Sequence, residues 1–452
     1  LAVHGSNLVQ TKTIMKRIIA SAGLAAVGAA SVQAAYTPGL TPMEQAKPWS
    51  VSVAVRGFYD DNIFARPSDS GAKQESFGVS VNPTVGLNFA LERTLIQFNY
   101  SYDFRWFEGR DENEADHIQL ADLSISHEFS ERFKLDVSDQ FTYAQEGAVR
   151  VDGVVTVPGR SDGDYYHNRA LGAFTAGVTE RLNLEVAYQN DIWDFENSGP
   201  NPNSYSALLD RMEHLATLEL GYAITPATTG GVGYKYGDIG SRSTDVLIMS
   251  GIPVPADTRD NRSHYLYGGI EHQFNPQLNA ALRAGAQFID YTNIDILSGS
   301  GLGYEDDATI PYIDFLLGYN YNPGSYLKVG IVNKMAVTSV GSAQSQDATA
   351  VYLDLNHRIT PKWTFGTMLL YQYSSLRGGV FDGEKEQLFV AGVNFDYLIS
   401  QNLSAEIGYN YDNLNSDVEY FGVDSRSYDR NRVYLGLRAR FECDREFDYL
   451  IL

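Results

Sequence analysis

The chain has 452 residues, with 34 Lys and Arg against 56 Asp and Glu, an acidic balance that disfavours a nucleic-acid partner. Its one cysteine, Cys443, excludes an intrachain disulfide framework and every Cys-based zinc pattern. Beyond the N-terminus no apolar run reaches the roughly 20 residues of a membrane helix, which leaves a soluble protein or a chain that crosses lipid by strands.

In chain order, Met15-Lys16-Arg17 is a charged stretch, Ile18 to Ala30 is apolar, and Val32-Gln33-Ala34 fits a small-residue cleavage site. This pattern predicts a Sec-type secretory signal, with Met15 as the start and cleavage after Ala34. Residues 1–14 lie upstream of that start and are set aside. Removing residues 1–34 removes Lys12, Lys16 and Arg17 and no acid, leaving 31 basic against 56 acidic residues, a net charge of −25. Residues 35–48 are expected to be a short periplasmic segment, 49–441 one continuous body, and 442–452 a short tail.

The body repeats one unit. An alternating run meets a short polar turn, alternation resumes, and it fades into a longer polar loop. The turns are Leu91-Glu92-Arg93, Ser130-Glu131-Arg132, Thr179-Glu180-Arg181, Thr225-Pro226-Ala227, Asn275-Pro276-Gln277, Asn322-Pro323-Gly324, Thr360-Pro361-Lys362 and Ser400-Gln401-Asn402. Pro presets a turn φ, and the Ser, Thr or Asn before it can bond the local backbone. Eight such hairpins plus one strand at each end predict 18 strands, within a range of 16 to 20. Both ends of the barrel sequence then fall at the rim of the short turns. The longest outer loops are expected at 145–165, 239–262 and 292–309.

Period two with one apolar face is the mark of a half-buried strand. Leu403, Ala405, Ile407, Tyr409 and Tyr411 share one face, opposite Ser404, Glu406, Gly408, Asn410 and Asp412. Ile96, Phe98, Tyr100, Tyr102, Phe104 and Trp106 do the same opposite Gln97, Asn99, Ser101, Asp103 and Arg105. Strict alternation of short and long connections, a leading signal and the lack of a fixed-period repeat together favour a membrane barrel over a propeller or β-helix. The predicted class is all-β: a transmembrane antiparallel up-and-down β-barrel. Val433, Leu435, Leu437, Ala439 and Phe441 form a final apolar face ending in an aromatic. That face resembles the C-terminal assembly signal of outer-membrane proteins and implies the barrel-assembly machinery as a partner. Lipid and lipopolysaccharide are the other expected partners, with a polysaccharide as a further one.

No catalytic, metal or cofactor site is expected. His117, His127, His167, His214, His264, His272 and His357 form no His-Glu-x-x-His, and Gly-x-Ser-x-Gly is absent. His127, His272 and His357 each precede a short turn and are expected to ring the inner membrane interface. The acid clusters at Asp60-Asp61, 108–116, 162–164, 305–307 and 382–386 lack calcium-loop spacing and read as solvated loops. Gly230, Gly231 and Gly233 open a strand rather than a helix, so they make room for neighbouring side chains instead of holding phosphate.

The inward faces carry the functional information. Their candidates are Arg56, Asp103, Arg105, Glu185, Arg211, Glu213, Arg283, Asp354, Arg358, Asp396, Glu406, Arg438 and Arg440. A charge on the lipid face costs about 2–4 kcal/mol at the midplane, so these must face a wet lumen. Ile407 and Leu437 are assigned to lipid, and reversal of Glu406 is expected to be tolerated.

The first five strands resemble the outer-membrane family described as putative β-barrel porin 2, some of whose members accompany exopolysaccharide gene clusters. The resemblance rests on Phe58-Tyr59-Asp60-Asp61-Asn62-Ile63, Pro83, Tyr100-Ser101-Tyr102, Asp116-His117 and the turn from Phe129 to Leu135. It covers roughly residues 49–145, and the tail beyond Phe441 departs from it. It implies an outer-membrane barrel. The expected function is a porin-like channel for small hydrophilic solutes. The alternatives are a barrel that exports or anchors polymer, with Tyr265, Tyr267 and Tyr312 stacking on sugars, and a sealed structural barrel.

Overall fold

Residues 31–33, 47–67, 71–146, 148–150, 153–156, 160–199, 204–249, 252–294, 303–341, 343–420, 423–424 and 426–442 are described by a computed structural model. The expected signal sequence, apart from 31–33, the segment 35–46 and the tail beyond Glu442 lie outside these residues.

Eighteen antiparallel strands close into one barrel. They are β1 (Trp49–Asp60), β2 (Ser76–Ala90), β3 (Thr94–Phe107), β4 (Ala115–Glu128), β5 (Phe133–Glu146) and β6 (Arg160–Gly177). Next come β7 (Leu182–Phe195), β8 (Arg211–Thr225), β9 (Thr228–Ser241), β10 (Asn261–Asn275), β11 (Leu278–Tyr291) and β12 (Asp307–Asn322). The last are β13 (Ser325–Ala336), β14 (Ala343–Arg358), β15 (Trp363–Gly379), β16 (Lys385–Ser400), β17 (Leu403–Ser416) and β18 (Tyr428–Glu442). Each pairs with its sequence neighbours, and β1 closes on β18 from Ser50–Glu442 to Asp60–Arg432.

All eight predicted turns join neighbouring strands at one rim, here the inner rim, since short turns face the periplasm in outer-membrane barrels. Their chemistry is local. Thr179 and Thr360 Oγ1 and Asn275 Oδ1 each accept two backbone N–H groups of their own turn. Gly324 follows Pro323 with φ +74°, a position that favours glycine.

The outer connections differ from expectation in one place. The loop predicted at 145–165 shrinks, because β5 continues to Glu146 and β6 restarts at Arg160. Connections 61–75 and 196–210 are as long as 292–306, and 242–260 is the longest. The loops also carry structure: a short helix α1 (Tyr205–Leu209), a hairpin of Val246–Met249 with Ile252–Pro255, and a 3-10 turn at Ala256–Arg259. Two further small pairings join Ser31–Gln33 to Ala148–Arg150 and Glu419–Tyr420 to Val423–Asp424.

Outward residues are apolar and exposed, among them Leu218, Val232, Ile407, Leu435 and Leu437. Histidines mark both interfaces. At the inner rim His127 and His272 bond Thr94 and Thr228, and His357 bonds Tyr321. At the outer rim three lipid-side tyrosines, Tyr102, Tyr188 and Tyr234, bond His117, His214 and His264 at 2.6–2.8 Å. Inward, Tyr267, Tyr352 and Tyr434 each lie across a glycine directly opposite in register: Gly233, Gly330 and Gly408. A Cβ at any of the three glycines would collide with the tyrosine ring.

Candidate functional site: the lumen

The thirteen candidate residues fall on inward register positions, in separate groups. Near the inner rim Glu406 accepts from Arg56 at 2.5 Å and stands 3.2 Å from Arg438. Arg56 reaches Glu406 over β18 because Gly436 lies between them, where a Cβ would sit 2.7 Å from the Arg56 side chain. Asp396 faces Glu406 in register and takes a hydrogen bond from Asn394, while Arg440 donates to Ser404. Asp354 accepts from Tyr326 at 3.4 Å, and Arg358 donates to the Pro361 carbonyl at the rim.

The opposite wall is acidic. Glu185 and Glu219 face each other across β7 and β8. Arg283 binds Glu219 at 2.9 Å and Glu271 at 3.0 Å, and Tyr267 donates to Glu219 over Gly233. With Asp136 these carboxylates border a cavity of about 170 Å³, beside Gly221, Gly231 and Gly269. Arg211 pairs with Glu213 at 2.6 Å and lies over the Trp193 ring.

In the outer half, Asp103 holds Arg105 at 2.7 Å. That pair belongs to a larger network. Arg430 binds Asp60, Arg432 binds Asp412, and all three arginines converge on Glu146 at 2.8–3.5 Å. Glu146 stands at the end of β5, five strands from β18, so it reaches across the lumen. Farther along the chain, residues 153–156 lie inside the barrel. Val155 exchanges two hydrogen bonds with the Gln372 side chain of β15 and packs with Val332, Tyr352, Met368 and Leu370. Between residues 153–156 and the wall from β6 to β13 lies a second cavity of about 240 Å³, lined by Arg169, Lys235, Asp314 and Lys334 among aromatic rings.

Sequence reasoning missed Glu146, Asp60, Arg430 and Arg432. Glu146 lies in a stretch expected to be loop and Asp60 in an acid cluster expected to be solvated, yet both are buried and paired with arginines; Arg430 and Arg432 lie just before the final apolar face. Tyr265, Tyr267 and Tyr312 pack on one another and around Lys235, and Tyr265 and Tyr312 border the second cavity. Among the described residues no group of three or more His, Cys, Asp or Glu could hold a metal ion.

The outer mouth is roofed by its loops. Leu208, Leu209, Leu247, Val254, Ala256 and Val337 form a buried cluster with wall residues Ile118, Tyr165 and Phe195. Two carboxyls lie beneath its edge. Asp210 accepts from the Phe195 N–H and Ser206, and Asp260 accepts from the Ser241 N–H and Asn293. Burial pushes each up to about 6 despite those hydrogen bonds, with Asp194 adding to the rise at Asp210, and Asp257 and Asp238 at Asp260. A carboxyl raised in the folded state stabilises it fully below its unfolded value of about 3.9, and that contribution is lost as pH rises through about 6. The amides of Phe195 and Ser241 should therefore be better protected from hydrogen exchange at pH 5 than at pH 7.5, after correction for intrinsic rate. Equal or reversed protection would show that burial does not dominate.

A closed 18-stranded barrel with an apolar outside, aromatic rims and a charged interior defines an outer-membrane barrel of porin type. Residues 50–441 match the family described as putative β-barrel porin 2, and the chain belongs to that family. No curated protein matches the sequence. Among solved structures it is similar to a BenF-like porin from Pseudomonas fluorescens Pf-5, at 11% identity and a TM-score of 0.43, covering 87% of this chain and 99% of that one. It is also similar to the outer membrane protein opdK from Pseudomonas aeruginosa, at 12% identity and 0.41, covering 87% and 99%. The siderophore receptor PiuA from Acinetobacter baumannii matches at 10% identity and 0.41, covering 87% and 81%.

Proposed function

We propose that the protein is a channel through which small hydrophilic solutes or ions diffuse passively across the outer membrane, with no chemical step. The observation that carries this is the inner face of a closed barrel wide enough for an aqueous passage, bearing charges of both signs around unfilled cavities. The arginines Arg56, Arg105, Arg430, Arg432 and Arg438 are each held by carboxylates, and the whole chain after the expected cleavage is at −25. An acidic mouth concentrates cations over about 8 Å at physiological salt. In a planar bilayer across a salt gradient, the reversal potential should show a moderate preference for potassium over chloride that shrinks toward 1 M salt. Anion preference would mean that the arginine wall governs the constriction.

A sealed barrel is the second reading, favoured by the loop roof and the segment 153–156 inside the lumen. Absence of any conductance would select it. Lipopolysaccharide at the aromatic outer rim, and the assembly machinery at the strand ending in Phe441 and Glu442, are the proposed partners.

A further inference from the structure

The barrel has a seam. β12 and β13 pair from the inner turn up to Ile313–Asn333 and then part, although both continue as strands. Extending the register would pair Tyr312 with Lys334, Pro311 with Met335 and Ile310 with Ala336; none of these pairs forms. An unpaired strand edge leaves backbone groups without ladder partners, which sheets avoid. Part of the loss is made good from elsewhere. The Met335 N–H is taken by the Gln287 side chain, which reaches it from β11, and Pro311 has no N–H to leave unpaired.

The parting has a direction. Met335 follows the lipid-side positions Val329 and Ile331 at period two, yet it is buried among Ile289, Tyr291, Ala308 and Ile310, inward residues of β11 and β12. Ser345 of β14 likewise meets the Tyr291 hydroxyl at 2.7 Å. The outer end of the β13–β14 hairpin has therefore swung inside the wall, where it narrows the mouth. It is one piece, since β13 and β14 stay paired through Ala336–Gln346 and Asn333 holds Asp347 and Thr349. Gly378 and Gly379, with φ +63° and +80°, let the end of β15 follow it.

One side chain fastens it there. Arg259 is buried in the 3-10 turn of loop 242–260 and donates to the carbonyls of Thr338, Val340, Gly341 and Ala343 at the hairpin tip, at 2.6–3.0 Å. It also donates to Leu208 O in α1, so one guanidinium joins three outer loops.

We infer that the β13–β14 hairpin tip is a gate, closed when latched inward by Arg259 and opened when it swings out and completes the ladder with β12. This rests on the channel reading and names its regulation. The two states are distinguishable in covalent chemistry. In the latched state Pro311 is exposed on the outside of β12 while Met335 is buried on its inner side. Zipped together, the two would be direct cross-strand neighbours, about 4.5–5.5 Å apart at Cα and within disulfide reach.

The test starts from Cys443→Ser, which removes the one native thiol, and adds Pro311→Cys with Met335→Cys. Heat-modifiable gel mobility checks that the barrel folds. On oxidation the two cysteines should bond, with loss of two electrons and two protons to an added oxidant such as copper phenanthroline. Single-channel conductance should then rise severalfold and fall back on reduction. A channel that conducts but never forms the bond overturns the gate, and so does a bond that leaves conductance unchanged. A bond in a barrel that never conducts supports the hairpin movement while overturning the channel reading. Arg259→Ala provides a variant without new thiols: open time should lengthen severalfold, and unchanged gating would overturn the latch.

Discussion

Glu406→Arg is expected to block assembly of the barrel as severely as Leu437→Arg, with both read as loss of the heat-modifiable band. For Leu437 the reason is the lipid. It projects outward near mid-strand, where an arginine costs about 2–4 kcal/mol. For Glu406 the reason lies inside. Its carboxylate is the shared partner of Arg56 and Arg438, and all three side chains are almost fully buried. Removing one partner of a buried ion pair costs about 3–5 kcal/mol, and a third guanidinium in the same space adds repulsion. This reverses the expectation from sequence that an inward charge reversal there would be tolerated. That expectation treated every inward position as wet, whereas the region around Gly436 is close-packed. Glu406→Gln should be milder, since it keeps the volume and one acceptor. Normal assembly of Glu406→Arg would mean that water reaches the group.

The features legible in the sequence are those whose causes are local. Thr360-Pro361-Lys362 specifies its turn through its own ring and hydroxyl, so eight such strings locate eight hairpins and hence the strand number. Alternation in 403–412 assigns faces because a strand alternates whatever its neighbours are. Gly233 could be read as space, but not as space for Tyr267, since that partner is set by register. What was illegible depends on chain segments far apart. Glu146 meets Arg430 across 284 positions and Val155 meets Gln372 across 217. No periodicity announces such contacts. The parting of β12 from β13 was also hidden, because Met335 keeps an outward position in the pattern and only tertiary packing turns it inward. Pro311 in β12 was the one available signal, since proline within a strand favours an edge.

Glu146→Ala should widen the channel. Arg430 and Arg432 keep Asp60 and Asp412 on neighbouring strands, and Arg105 keeps Asp103, so each guanidinium retains a carboxylate in the wall. What disappears is the tie across the lumen, from the end of β5 to β18. The segment 153–156 would then depend on the packing of Val154 and Val155 and on the two Val155–Gln372 hydrogen bonds, each worth only about 0.5–1.5 kcal/mol net. Released, it would leave the space between β15 and the wall from β6 to β13, and the two sides of the lumen would become continuous. The lining would also be one negative charge poorer beside three arginines. Conductance should therefore rise, and the reversal potential should move toward chloride. Because the wall pairs survive, the heat-modifiable band should persist, unlike that of Glu406→Arg. Unchanged conductance and selectivity would show that Gln372 and the packing of Val155 hold the segment without Glu146, and Glu146→Ala with Gln372→Ala should then release it.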